Sequence, residues 1–277
     1  MNSEPTNRIR IACQTYTWQM SGDYVGRLDH IVDLIGKTGF EGVEPETQFL
    51  GRLADPEAMS RALKESGIEL AALCLVEDWL APEETRDERA RADECLEFLR
   101  HFPGTLLNLC QMPTSRPDDP AELLTRQRDL LACVHAVAER AERCGVASAY
   151  HPNSPEASIY RTADDYVVLL AGLDERLGWV PDCGHIARVG MDPLELIKEH
   201  RSLVRHIHYK DMEAGHGWAE MGCGVIDYEA ITQLLVDTGY AGWIVVEDES
   251  DRAIPEPDQV TLDDWSWIER HLVPIVS

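Results

Sequence analysis

The chain is short of positive charge. It carries 25 Lys and Arg against 50 Asp and Glu, a net charge of −25. A surface this acidic repels a phosphate backbone and anionic lipid, which excludes nucleic-acid binding and strong membrane-surface binding through basic residues. No stretch approaches the roughly 18 continuous apolar residues of a membrane span. The eight cysteines, at 13, 74, 95, 110, 133, 144, 183 and 223, form no CxxC pair. Several fall inside apolar runs (Cys13, Cys74, Cys110), so free buried thiols in a reducing cytoplasm are expected. There is no Ser/Gly linker and no low-complexity block, which points to one domain over residues 8–277. The polar opening MNSEPTNR reads as a disordered tail, residues 1–7, rather than a signal segment. A Gly-rich phosphate loop is also missing. GCGVID at 222–227 has two glycines and follows no clear strand, so it is expected to be a loop after strand seven.

What the chain does have is alternation. Eight β-rich apolar runs fall at 9–13, 42–46, 68–76, 105–112, 146–151, 177–182, 204–209 and 243–247. Amphipathic stretches separate them. Residues 25, 28, 31, 32, 34 and 35 repeat at helical spacing before the glycine of KTG. Asp55–Pro56 and Asp192–Pro193 read as N-cap followed by proline in the first turn. The longest helical stretches are 82–101 and 120–144, and the acid of PEETRDERARADECLEF is expected on a solvated outer face. Strict β–α alternation implies a parallel sheet with right-handed crossovers, and eight units imply closure into a single (β/α)₈ TIM barrel.

The chemistry-bearing residues stand where the apolar runs stop: Glu44, His151, Asp182, His208 and Glu247. In such a barrel these ends form the catalytic mouth. Buried carboxylates at strand ends need a compensating charge, and a divalent cation supplies one. Asp182, His208 and Glu247, brought together by closure, are the expected metal ligands. His151 is either a fourth ligand or a general acid/base, and Glu156 is placed to reach back from the same loop. The mixed N and O set suits Mn²⁺ first, then Zn²⁺, Co²⁺ or Fe²⁺. His206 shares a face with His208 one layer deeper and is expected to support it. His185 is read as a substrate ligand or proton shuttle on the loop above the site. Glu44 is expected to orient a sugar hydroxyl or act as a base. Glu46, Asn153, Lys210, Glu220 and Trp18 are expected to meet substrate, with Trp79 and Trp218 on the same rim. Asp248 and Glu249, which follow Glu247, are read as solvated and dispensable.

GFEGVEPE, PDCGHIARVGMDP, RHIHYKDM, WAEMGCGVIDY and GYAGWIVVEDE resemble, in that order, the pattern of the sugar phosphate isomerase/epimerase superfamily, the xylose-isomerase-like barrels. The resemblance runs over roughly residues 8–275. Its members include ketose 3-epimerases, hydroxypyruvate isomerase, inosose dehydratase, 3-dehydroshikimate dehydratase and lyases of 3-keto-glycosides; the endonuclease IV branch shares the fold. It implies one divalent metal held by Glu, Asp, His and Glu on strands five to eight. Asp182, His208 and Glu247 match the last three. At strand five the expected Glu falls near Ala149 or His151, and YHPN is similar to the loop of dehydratase-like members. The resemblance therefore implies proton abstraction beside the carbonyl of a keto-sugar or keto-cyclitol through a metal-stabilised enediolate. Isomerisation or epimerisation is the leading outcome, and dehydratase or lyase β-elimination the alternative. A non-catalytic sugar-binding or partner subunit is the remote reading. Such barrels commonly form homo-oligomers, but no interface signature is visible in this chain.

Overall fold

A computed structural model describes residues 8–277, so the expected tail at 1–7 lies outside the described residues. Eight strands follow one another around a ring. They are β1 (Ile9–Gln14), β2 (Gly42–Glu44), β3 (Ala72–Glu77, preceded by the short piece Glu69–Leu70), β4 (Leu106–Gln111), β5 (Ala147–His151), β6 (Leu177–Trp179), β7 (Ile207–Tyr209) and β8 (Gly242–Val246). All neighbouring pairs are parallel. The ring closes where β8 pairs with β1, with Ile9 opposite Gly242 and Cys13 opposite Val246. Between β6 and β7 the ladder thins to single bridges, Trp179 to Val204 and Asp182 to His208. The expected barrel is the observed one. The strands are buried on both faces, which is why they read as near-continuous apolar runs.

The strands β2, β6 and β7 are markedly shorter than their sequence runs, and proline explains the first two. Pro45 and Pro181 have no N–H to give the ladder. Their carbonyls still accept from Cys74 N and His208 N, each at 2.9 Å, so the chain stays extended to Glu46 and Asp182.

The outer ring is α1 (Leu28–Ile35), α2 (Pro56–Ser66), α3 (Arg86–Leu99), α4 (Pro120–Arg143), α5 (Ala163–Gly172), α6 (Pro193–Glu199), α7 (Tyr228–Asp237) and α8 (Pro257–His271). Asp55 caps α2 through Ala58 N and Gly67 closes it in the left-handed region, as its sequence implies. Asp192 caps α6 in the same way. In α1 the buried face is Leu28, Ile31, Val32 and Ile35; the helix stops at Gly36, and Val25 lies before it, exposed. Asp87, Asp93, Glu94 and Glu97 lie exposed on the solvent side of α3 as expected, but Glu88 is buried, accepting from Trp79 N and Thr85 N, and the Glu84 side chain is buried against Arg140. All eight cysteines are free and six are buried. No helix among the described residues is long and apolar enough to cross a membrane. A small ribbon after β7, Asp211–Met212 against Trp218–Ala219, was not legible in the sequence.

Candidate metal centre and active site

The C-terminal ends of the strands surround a cavity of ≈ 390 Å³. Asp182 arrives there after Pro181, and its Oδ1 caps the short helix Cys183–Arg188 by accepting from His185 N at 2.8 Å. Oδ2 is left free to face inward. Gly184 is required by close approach: a Cβ there would meet the Lys210 carbonyl oxygen at 2.4 Å. The PDCGH motif therefore brings the β6 loop down onto β7.

Three residues expected at the site converge. His151, Asp182 and His208 each offer a ligand atom, all within 4.8 Å of one another. The His151 and His208 rings are 4.7 Å apart. His151 Nε2 stands 3.5 Å from Asp182 Oδ2, without hydrogen-bond geometry. His151 Nδ1 and Nε2, Asp182 Oδ2 and His208 Nδ1 are all buried and lack a hydrogen-bond partner. Native interiors rarely tolerate such a set, and a cation is the group that would satisfy it.

Beneath this cluster lies Glu44, fully buried. Its Oε2 accepts from His206 at 2.6 Å and from His208 Nε2 at 3.1 Å, and its Oε1 accepts from Asn108 at 2.7 Å. Burial opposes its charge, but His208 and His206 outweigh that and hold the carboxyl well below its usual range. Glu44 does not line the cavity. The expectation that it touches a sugar hydroxyl or acts as base is corrected: every carboxylate oxygen is committed below the floor. What it does is fix the His208 ring with Nδ1 turned inward. His206 supports His208 only through this shared carboxylate.

Glu247 Oε2 is 3.3 Å from His208 Nδ1, and its Oε1 accepts from Lys210 Nζ at 2.6 Å. Lys210 is fully buried and also contacts Glu249, Asp182 Oδ2 (3.6 Å) and His185 Nε2 (3.2 Å). The ammonium is thus a built-in counter-charge to three carboxylates. Burial disfavours it, but Glu247, Glu249 and Asp182 raise it well above the usual lysine range. Burial also disfavours the Asp182 charge, and the charges of Lys210 and His151 outweigh that and hold it well down. His208 is pushed down by burial and lifted more strongly by Glu44 and Glu247, to about 9. His185 goes the other way. Burial and the Lys210 charge lower it to about 3, so it is neutral, with Nδ1 2.7 Å from Ser154 Oγ.

The remaining expected residues divide. Glu46, Asn153, Lys210 and Trp218 line the cavity. Burial pushes Glu46 up to about 7, and Gln48 donates to it at 2.6 Å. Trp18 does not line it: the indole is fully buried and donates to Asp258 Oδ1 at 2.7 Å, holding the β1 loop to α8. Tyr16, one half-turn away, faces the cavity instead. Trp79 is buried behind the rim. Glu220 is turned outward to Arg252 at 2.7 Å. Glu156 is exposed, which removes it as a ligand. Glu249 is the reverse case. Read as solvated, it lines the cavity on Lys210, and burial raises its carboxyl to about 7. Its signal was the inward phase it shares with Glu247, two residues apart. Cys74 and Cys110 also line the cavity, Sγ to Sγ 3.5 Å. The hydrogen bond from Cys74 lowers the Cys110 thiol to about 6.

The profile of the xylose isomerase-like TIM-barrel family matches residues 32–271. An inosose dehydratase from Geobacillus kaustophilus is 25% identical, the alignment covering 91% of this chain and 91% of that protein. Among solved structures, the zinc-bound IOLI protein superposes with a TM-score of 0.73 at 16% identity, over 97% of this chain and 98% of that one. The 3-keto-D-glucoside 4-epimerase YcjR from E. coli gives 0.71 at 17% identity, over 95% and 100%.

Proposed function

The chain belongs to the xylose isomerase-like TIM-barrel family, and we propose that it is a divalent-metal-dependent enzyme that dehydrates a keto-cyclitol or keto-sugar. The observation that carries this is the convergence of unpartnered, buried donors from His151, Asp182 and His208, within 4.8 Å of one another, with His151 and His208 lining the cavity. Those three, with Glu247 beside His208, would hold the cation. A zinc atom in the IOLI protein supports a divalent ion of this class. When bound, the ion supplies Lewis-acid polarisation of the substrate carbonyl, which acidifies the adjacent C–H.

The chain's own groups do the rest. Glu46 lines the cavity with no ionic partner among the described residues, and a carboxyl at about 7 is matched to taking a proton at neutral pH. Lys210, held by Glu247 and close to His185, donates hydrogen bonds toward the departing hydroxyl oxygen. Loss of a proton from one carbon and hydroxide from the next gives water and an unsaturated ketone. The absence of Glu at Ala149 and His151 and the inosose dehydratase relative favour elimination. Epimerisation is the second reading. It is favoured by Glu249, a second cavity carboxyl at about 7, and by the epimerase among the structural neighbours. In that case the proton returns to the carbon from the other side.

The test is a screen of keto-cyclitols and 3-keto-sugars with Mn²⁺- or Zn²⁺-loaded protein in D₂O. A dehydrated product read by ultraviolet absorbance and mass supports elimination. Solvent deuterium at the carbon beside the carbonyl with no water lost supports epimerisation. Glu46→Gln is expected to lower kcat by roughly 10²–10⁴-fold with metal content unchanged. Near-wild-type turnover in that variant rejects Glu46 as the base.

A further inference from the structure

Ser154 meets His185 beside the cavity, and nothing in the reaction proposed above uses it. The loop after β5 is built to hold that serine still. Pro152 follows the last residue of the strand. Asn153 Nδ2 donates to the Gln111 carbonyl at 3.0 Å, and Arg161 Nε donates to the carbonyl of Ser154 itself at 3.0 Å. Arg116 Nη1 fastens the far part of the loop through the carbonyls of Ser158 and Ile159, at 2.9 and 3.0 Å. Ser154 is 5% exposed and His185 7%, so their contact is shielded from water.

The donors decide which way that contact runs. His185 Nδ1 is 2.7 Å from Ser154 Oγ, and His185 Nε2 is 3.2 Å from Lys210 Nζ. An ammonium has three N–H groups and no lone pair, so it only donates. His185 Nε2 therefore accepts, and the single proton of the neutral ring sits on Nδ1, where Ser154 Oγ accepts it. An imidazolium would set a second N–H against the ammonium at the same 3.2 Å. Trp218 packs edge to face against this ring, 5.4 Å between centroids. The three N–H groups of Lys210 are then all committed, to Glu247 Oε1 at 2.6 Å, to Glu249 Oε1 and to His185 Nε2. Two of these acceptors are carboxylates. The third is a neutral imidazole at the longest distance, so its N–H is the one that a substrate oxygen can take over.

We propose that Ser154 is a positioning residue for the elimination: by holding the His185 proton on Nδ1 it keeps Nε2 an acceptor, and that acceptor aims the third Lys210 N–H. The proposal rests on the reading of Lys210 as donor to the departing hydroxyl. It also settles what His185 does. With no proton on Nε2, the ring accepts on that side and gives no proton to the substrate.

The test reads the ring directly. Histidine ring ¹⁵N NMR is recorded on the Zn²⁺-loaded full chain, with the His185 signals identified by their loss in His185→Gln. A proton on Nδ1 and a lone pair on Nε2 are expected. A proton on Nε2, alone or together with one on Nδ1, overturns the proposal. These signals are read without substrate, so they decide the tautomer whether or not the dehydratase reading holds. Ser154→Ala is expected to turn the ring into a mixture of tautomers and to lower kcat by roughly tenfold or more, with KM and bound zinc little changed. Ser154→Thr, which restores the hydroxyl, is expected to recover both. An alanine variant that keeps the parent tautomer, or that loses it at undiminished kcat, also overturns the proposal.

Discussion

The two walls of the cavity are built on opposite electrostatic terms. On the β5–β8 side, His151, Asp182, His208, Lys210 and Glu247 are buried in contact with one another, and each charge is offset by a neighbour. On the β2–β4 side the lining is Glu46, Cys74, Val76, Cys110 and Gln111, with a single carboxyl and no ion pair to it among the described residues. The lesson is that one wall is already a set of mutually dependent charges that a cation can enter, whereas the other carries a carboxyl without an ion pair, which burial keeps protonatable. Buried ionic networks of the first kind add little net stability but cost much when one member goes. An isolated buried acid costs stability simply by being charged.

Lys210 is where the charged wall breaks. Lys210→Met leaves Asp182, Glu247 and Glu249 without their ammonium. The expected loss is about 3–5 kcal/mol in cation-free protein, read from denaturant midpoints. Because the lost group is a counter-charge, saturating Mn²⁺ or Zn²⁺ should recover much of it. A variant as stable as the parent without metal would mean that the network is not interdependent.

The same wall predicts a pH dependence. Glu44 and Glu247 raise folded His208 to about 9, above its unfolded value. Its contribution to stability is therefore fully present below the unfolded pKa near about 6.5 and is lost as pH rises through about 9. Ion binding has the opposite sign, because the ligand must shed its proton first. Apparent metal affinity should rise by about tenfold per pH unit for each proton displaced, levelling off near about 9. Competition titrations with a chromophoric chelator between roughly pH 6 and 8 check it. A flat profile would show that His208 binds no ion.

Much of this was legible in the chain. Glycine and proline punctuation and strict β–α alternation specify the barrel, because they are local physics repeated around the ring, and the caps at Asp55 and Asp192 mark two of its helix starts. Asp182, His208 and His151 were legible because a chargeable residue closing an apolar run has only the mouth to point into. The errors have one source, which is that depth along a strand does not show in its residue types. Glu44 sits one layer lower than Glu46, so it became the support of His208 while Glu46 reached the cavity. Trp18 lies in the short helix Tyr16–Gln19, where Tyr16, two residues earlier, faces the cavity, and the indole hydrogen bond to Asp258 holds Trp18 away from it. Glu249 was obscured by the run of three acids in which it stands. The thiols of Cys74 and Cys110 resembled any buried cysteine until the register of β3 against β4 placed them together.

The sharpest contrast between the walls is a difference of sign rather than of size. Removing a charge at Lys210 destabilises; removing one at Glu46 should do the reverse. Burial lifts the Glu46 carboxyl to about 7, above its unfolded value, so folding favours the protonated form. The penalty is absent below the unfolded pKa and grows as pH rises to about 7, where the folded group ionises. Glu46→Gln keeps the shape, abolishes the charge and leaves an amide beside Gln48. At about pH 8 it is expected to gain on the order of 1 kcal/mol over the parent, and at about pH 4 to gain nothing. Denaturant unfolding at the two values decides it. A gain present only at the higher pH, alongside the loss of turnover predicted for the same variant, would show that this wall gives up stability to keep a titratable carboxyl in the cavity. A loss at both values would mean that Glu46 has an ionic partner when the protein is in solution, and the two walls would then be electrostatically alike.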